Sequence, residues 1–242
     1  MKGNALFRAK SILILTALVT AVAPLGATTI YHGALYDDPG YQFDTFGNNA
    51  DKTSRGANFG SATSVTWYGI NMTHDSTGAT NGIAWTGNTA DSSNSVGAYN
   101  YSYIYSGTPG TGAAANSLTN FGIHSYPTIT ISVTPGATYS IDLLFANAIN
   151  ARTFDVNVEG SLYLDNLALD ITAAKRPLVY RFQIVAPDNQ IQIALTPGAE
   201  PGYTDTNPYV QAMMVTEVVP EPSALIMTAT GLLGLAFGRN RR

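Results

Sequence analysis

From Thr128 onward, apolar residues recur at every second position. Ile129, Ile131 and Val133 alternate with Thr and Ser until Pro135-Gly136 turns the chain. Tyr139, Ile141, Leu143 and Phe145 alternate next, followed by Phe154, Val156 and Val158, which stop at Glu159-Gly160. Tyr180, Phe182 and Ile184 form a further run with Arg181 and Gln183 between them. Pro187-Asp188-Asn189 leads into Ile191, Ile193 and Leu195, closed by Pro197-Gly198, and Val210, Ala212 and Met214 make a last run. Period-two alternation bounded by turn residues predicts half-buried strands, and many of them at short spacing predict an all-β sandwich or barrel. No stretch between 28 and 218 sustains a 3.6-residue period.

The first half carries a weaker pattern. Residues 47–60 and 75–94 are rich in Gly, Ser, Thr and Asn and read as long loops on the sandwich. Strands are predicted at Val65–Ile70 and Ala98–Ser106. The second places Tyr99, Tyr101, Tyr103 and Tyr105 on one face, with Asn100, Ser102 and Ile104 on the other. Such a stripe reads first as a sandwich face packed inward, with hydroxyls reaching the rim. There is no repeat of fixed period, and the one linker is short, around 217–222.

Both ends depart from this pattern. Lys2, Arg8 and Lys10 precede an uncharged apolar run from Ser11 to Ala23, and small residues follow at Gly26-Ala27. That order predicts a secretory signal peptide over residues 1–27, cut after Ala27. An uncleaved N-terminal anchor is the alternative, and the shortness of the run argues against it. At the other end, Pro220-Glu221-Pro222 precedes an uncharged apolar segment, and Arg239, Arg241 and Arg242 close the chain. Residues 223–238 predict a transmembrane helix of about 24 Å, short against a bilayer core of about 30 Å. The terminal arginines place its end in the cytoplasm, so the domain at 28–218 lies outside the inner membrane.

Charge and composition narrow the function classes. The 242 residues include 12 basic and 16 acidic side chains and no cysteine. A disulfide framework, a thiolate metal site and a cysteine nucleophile are thereby excluded. Three of the basic residues lie in each terminal segment, so residues 28–222 hold 6 basic and 16 acidic side chains, a net charge of −10. An acidic exported domain is a poor partner for nucleic acid or an anionic membrane surface.

The C-terminal segment, Val219, Pro220, Glu221, Pro222 and Ser223 followed by the apolar helix and Arg239, Arg241 and Arg242, resembles the PEP-CTERM sorting signal of Gram-negative bacteria. The resemblance implies transient recognition by an exosortase, a membrane-embedded cysteine transpeptidase that cuts at or near the Pro-Glu-Pro triplet. It also implies a destination at the cell surface or in an extracellular polysaccharide or biofilm matrix.

Three stretches in the second half resemble a malectin domain, a relative of galactose-binding-like folds. They are Tyr139-Ser140-Ile141-Asp142-Leu143-Leu144-Phe145-Ala146, Arg152-Thr153-Phe154-Asp155-Val156-Asn157-Val158-Glu159-Gly160, and Gly202-Tyr203-Thr204-Asp205-Thr206-Asn207-Pro208-Tyr209-Val210-Gln211-Ala212. Leu164-Asp165-Asn166-Leu167 stands where the family has a short linking strand. The resemblance implies a jelly-roll β-sandwich that binds a glucose-type saccharide in loops at one end, with Asp205 at the family's acidic position. The family's aromatic pair after the Phe-Ala strand has no counterpart in Asn147-Ala148-Ile149-Asn150. Sugar recognition needs flat apolar faces and placed hydrogen-bonding groups. Tyr203, Tyr101, Tyr103 and Trp85 have the right chemistry and complete the candidate carbohydrate set with Asp205.

Signals for catalysis or a metal are sparse. His32, His74 and His124 are isolated, without ligand spacing, and no nucleophile elbow or P-loop motif occurs. Asp37, Asp38, Gly40 and Asp44 carry oxygen donors for calcium but lack the loop spacing, and a solvated turn reads better. The expected protein is therefore a non-catalytic exported binding module without a cofactor. A structural surface or matrix protein that binds no sugar is the alternative. A secreted glycoside hydrolase ranks last, since it needs two carboxylates about 5–10 Å apart across a cleft.

Overall fold

The computed structural model describes residues 28–32, 46–59, 64–73, 78–90, 118, 122–145, 152–169 and 178–219. The signal peptide, the segment after Val219, the Asp37–Asp44 cluster, His74 and the tyrosine stripe at 98–106 lie outside them.

Strands β1 (Thr28–His32), β2 (Arg55–Asn58), β3 (Val65–Trp67), β4 (Ile70–Thr73), β5 (Ala79–Thr80), β6 (Ile83–Trp85), β7 (Asn88–Ala90) and β8 (Gly122–His124) make up the first half. The second half contributes β9 (Thr128–Ser132), β10 (Thr138–Phe145), β11 (Arg152–Val158), β12 (Ser161–Leu169), β13 (Leu178–Val185), β14 (Gln190–Pro197), β15 (Tyr209–Val210) and β16 (Ala212–Glu217). One sheet runs β1-β13-β10-β16-β2-β4-β3, a second runs β12-β11-β14-β9-β6-β5, and a three-stranded ribbon runs β15-β8-β7. All neighbours are antiparallel except β2 and β4. The expected all-β sandwich is present in the described residues.

The main core lies where the inner faces of the two large sheets meet. Ile141, Leu143, Phe145, Phe182, Met213 and Val215 come from the first sheet. Ile129, Ile131, Phe154, Val156, Ile191, Ile193 and Leu195 come from the second. All but Met213 and Val215 are residues that the alternation marks, because a strand with one wet face must put every second side chain inward; on β16 the predicted Ala212 and Met214 face the opposite side of the sheet. On β14 the two classes alternate cleanly, with Ile191, Ile193 and Leu195 buried and Gln190 and Gln192 exposed.

The first sheet is covered on both faces. Ser140, Asp142 and Leu144 point away from the main core and are still buried. Phe46, Val65, Trp67, Met72, Leu118, Leu144, Val179, Ala212 and Met214 form a second apolar cluster there. The chain at 46–47 straps across it. Trp67 Nε1 donates to the Phe46 carbonyl at 2.8 Å, and the Gly47 N–H donates to Asp142 Oδ2 at 2.6 Å. Gly47 has φ +72, a conformation that favours glycine, and a Cβ on it would lie 2.7 Å from Met214 Sδ, so that the methionine end would have to shift. Directly across from Asp142 on β13, Arg181 gives it a two-pronged ion pair at 2.6 and 2.7 Å. Burial pushes the Asp142 carboxyl up from its ordinary range, and Arg181 and the Gly47 N–H pull it back.

The expected layout needs correction in the first half. Residues 47–60 and 75–94 are not simply loops, since they hold β2, β5, β6 and β7. Val65–Ile70 is not one strand but the hairpin β3–β4, turned at Tyr68-Gly69 with φ of +47 and +76. Asn81-Gly82 turns β5 into β6 with φ of +52 and +71, the geometry that Asn-Gly favours in two-residue hairpins. These strands have two to four residues, too few for alternation to register against a polar background. The last predicted run is also split. Val210 ends β15 in the ribbon, whereas Ala212 and Met214 lie in β16 of the first sheet.

Candidate functional site at the closing loop

The closing loop between β14 and β15 returns across the start of β11. The Thr153 N–H donates to the Asp205 carbonyl at 2.9 Å, and the Asn207 N–H donates to Asp205 Oδ1 at 2.9 Å. Arg152 Nη2 lies 3.3 Å from Asp205 Oδ2, Nη1 donates to the Asn207 carbonyl at 2.9 Å, and the guanidinium stands 5.5 Å from the Tyr209 ring centre. Arg152 therefore staples the loop to the sheet. Burial weighs against its charge, and the neighbouring Asp205 offsets that.

Beside the staple, the ribbon brings three side chains into one file. Asn88 of β7 and Tyr209 of β15 both pair with His124 of β8. His124 Nδ1 lies 2.8 Å from Ser125 Oγ and 3.4 Å from Asn207 Nδ2, and Asn88 Nδ2 lies 3.3 Å from Ser125 Oγ. Asn207 Oδ1 accepts from the Ser125 N–H at 2.8 Å. The donors assign the proton pattern. Asn88 donates to Ser125, Ser125 donates to Nδ1, and the imidazole proton sits on Nε2. Burial lowers the His124 pKa below 6.5, and the Arg152 charge lowers it further. The imidazole is thus held neutral.

The setting of the Ser125–His124 contact is unfavourable for a nucleophile and base. Such a pair requires a group that stabilises imidazolium, and Arg152 opposes it. Among the described residues, no set of three or more His, Asp or Glu side chains converges to hold a metal ion. The arrangement displays neutral donors and acceptors at the end of a sandwich.

The predicted carbohydrate residues fare unevenly. Asp205 is in the cluster, with its carboxylate 25% exposed and engaged by Arg152 and Asn207. Tyr203 lies on the same loop, half-buried. Trp85 is a correction. It is 8% exposed and packs edge-on against Phe59 at 5.1 Å in the main core, so its face is not offered to a ligand. It stands at the inward position of β6, as the buried-exposed-buried pattern of that strand requires. Tyr101 and Tyr103 lie outside the described residues. The sequence pattern left His124 as an isolated histidine and Asn207 as part of the closing-loop motif without a role, and it did not mark Asn88, Ser125 or Tyr126. Isolated His and Ser carry no spacing signal, and only the ribbon pairing brings residue 88 beside 124 and 207.

The fold has counterparts among solved structures. A calcium-binding mutant of Bacteroides uniformis β-glucuronidase 2 superposes with a TM-score of 0.53 at 16% identity, over 71% of this chain and 19% of that one. The plant receptor-like kinase FER gives 0.53 at 13% identity, over 71% of this chain and 52% of its own. The plant receptor-like kinase ANX2 gives 0.50 at 15% identity, over 69% and 48%. The chain thus spans about a fifth of the enzyme and about half of each kinase structure. These likenesses show a shared fold. No protein-family model and no curated protein matches the sequence.

Proposed function

We propose that this chain is an exported surface or matrix protein of a Gram-negative bacterium, sorted by an exosortase and carrying a non-catalytic, malectin-like sandwich that binds carbohydrate. The closing-loop cluster carries the binding half of this reading. It sits at the loop end of a sandwich like that of plant receptor-like kinases, and it gathers Asn88, His124, Ser125 and Asn207 beside an exposed tyrosine. The sorting half rests on the order of Pro220-Glu221-Pro222, the apolar segment and the terminal arginines. Asp205 favours a second reading, a structural surface protein without a sugar site, because its carboxylate is already engaged by Arg152.

A glycan array probed with the full-length protein in mild detergent separates the two. The proposal expects retention on at least one class of polysaccharide or oligosaccharide, and retention on none selects the structural reading. For sorting, replacing Pro220, Glu221 and Pro222 together with alanine leaves an uncut precursor in the inner-membrane fraction of a host that carries an exosortase. Normal processing of that triple variant removes the exosortase assignment.

A further inference from the structure

We infer that the Ser125-Tyr126 turn is the ligand platform of this site, with the Tyr126 ring stacking on an uncharged pyranose and Asn88, Ser125 and Asn207 bonding its hydroxyls. The inference rests on the carbohydrate reading above and specifies the residues and the ligand class.

Backbone conformation is the first observation. Ser125 and Tyr126 are consecutive non-glycine residues with φ of +66 and +57. The left-handed region is unfavourable for any residue with a Cβ, and more so for a bulky one, so the surroundings must impose it. They do so through side chains of the site itself. Asn207 takes the Ser125 N–H, and Asn88 and His124 hold Ser125 Oγ from either side. Just beyond the turn, the Pro127 carbonyl accepts from the Leu195 N–H at 3.0 Å, and the Thr128 carbonyl accepts from the Thr86 N–H at 2.9 Å. The turn is thus clamped on both sides.

What the clamp achieves is the second observation. Tyr126 is 49% exposed, and it is the one aromatic among the exposed large apolar residues of the described structure. Left to sandwich packing alone, a tyrosine here would gain by turning inward. A rigid, outward aromatic with little rotamer freedom to lose is what stacking on a sugar's C–H face requires.

The neighbouring chemistry sets the ligand class. Asn88 is exposed, and its amide oxygen has the chemistry to accept from a hydroxyl. Ser125 Oγ and the Asn207 amide are half-buried beside it. None of these groups is charged, the imidazole is neutral, and the Asp205–Arg152 charges offset each other. A display of neutral donors and acceptors suits an uncharged pyranose and provides no cation for a uronate.

The test uses the full-length protein in mild detergent, titrated calorimetrically with maltotriose, cellotriose, mannotriose, xylotriose and trigalacturonate. At least one neutral trisaccharide is expected to bind and trigalacturonate is not. Tyr126→Ala is expected to weaken that binding about tenfold, while Tyr126→Phe stays within about threefold, because the ring face is what stacks. Asn88→Ala, which removes a hydroxyl acceptor and one of the hydrogen bonds on Ser125 but keeps Asn207 on the turn, is expected to weaken it about threefold. Wild-type affinity in both alanine variants overturns the platform and leaves the carbohydrate reading standing. Binding of trigalacturonate alone overturns the ligand class. Wild-type protein that binds none of the five removes the inference together with the reading on which it rests.

Discussion

Asp142→Ala is expected to lower the unfolding free energy by about 3–5 kcal/mol, the range for removing one partner of a buried ion pair. Asp142 is 1% exposed, and its carboxylate satisfies both Arg181 and the Gly47 N–H. The substitution strands a guanidinium beside Leu144, Val179 and Met214 and frees the strap that covers the second apolar cluster. Since a domain of this size is stable by about 5–15 kcal/mol, the loss is a large fraction of the whole. Joint replacement, Asp142→Leu with Arg181→Met, is expected to recover most of it, because the apolar pair removes the desolvation cost of both charges. Urea unfolding of the two variants beside the wild type checks this. A single-variant loss below about 1 kcal/mol would show that the pair is not the strap's anchor.

Arg152→Ala is expected to lose about 1.5–3 kcal/mol and to loosen the closing loop specifically. The smaller figure follows from exposure. The Asp205 carboxylate is 25% exposed and rehydrates when its partner leaves, whereas Arg181 without Asp142 is held in a drier setting. Arg152 also holds the Asn207 carbonyl, and Asn207 in turn holds Ser125. The variant should therefore show faster protease cleavage between Gly198 and Pro208 while the sandwich core stays protected. Arg152→Lys should recover only part, because an ammonium cannot hold Asp205 and the Asn207 carbonyl in the same forked geometry. Unchanged cleavage in Arg152→Ala would mean that the backbone contacts at Thr153 suffice to hold the loop.

The same contrast between exposed and dry settings explains what could be read in advance. Most strands at 128–217 were legible because they are long enough for alternation to register, and because the outer face of the second sheet is wet; β12, whose burial does not alternate cleanly, and the two-residue β15 were not. On β10 the signal blurred, since Ser140, Asp142 and Leu144 are buried on the outer face as well. The short strands β2, β5, β6 and β7 escaped notice and β3–β4 was read as one strand, even though Asn81-Gly82 is a strong hairpin signal, because two to four residues hold too little pattern. Trp85 was misassigned for a related reason. An aromatic in a polar stretch has the chemistry of a sugar platform, and only strand register decides which way it faces.

The sequence by itself determined the strand-rich class, the acidic balance of residues 28–222 and the absence of thiol chemistry. Those are properties of local pattern and charge, which need no partner to be expressed. Tertiary structure alone decided that Asp205 serves Arg152, that Trp85 is core, that Asn88, His124, Ser125 and Asn207 meet, and that the next residue in the chain, Tyr126, is exposed. Residues 88, 124 and 207 are far apart in the chain. Only the β7-β8-β15 ribbon brings them within hydrogen-bonding range, where their partners impose on Ser125 and Tyr126 a conformation that neither residue would adopt unaided.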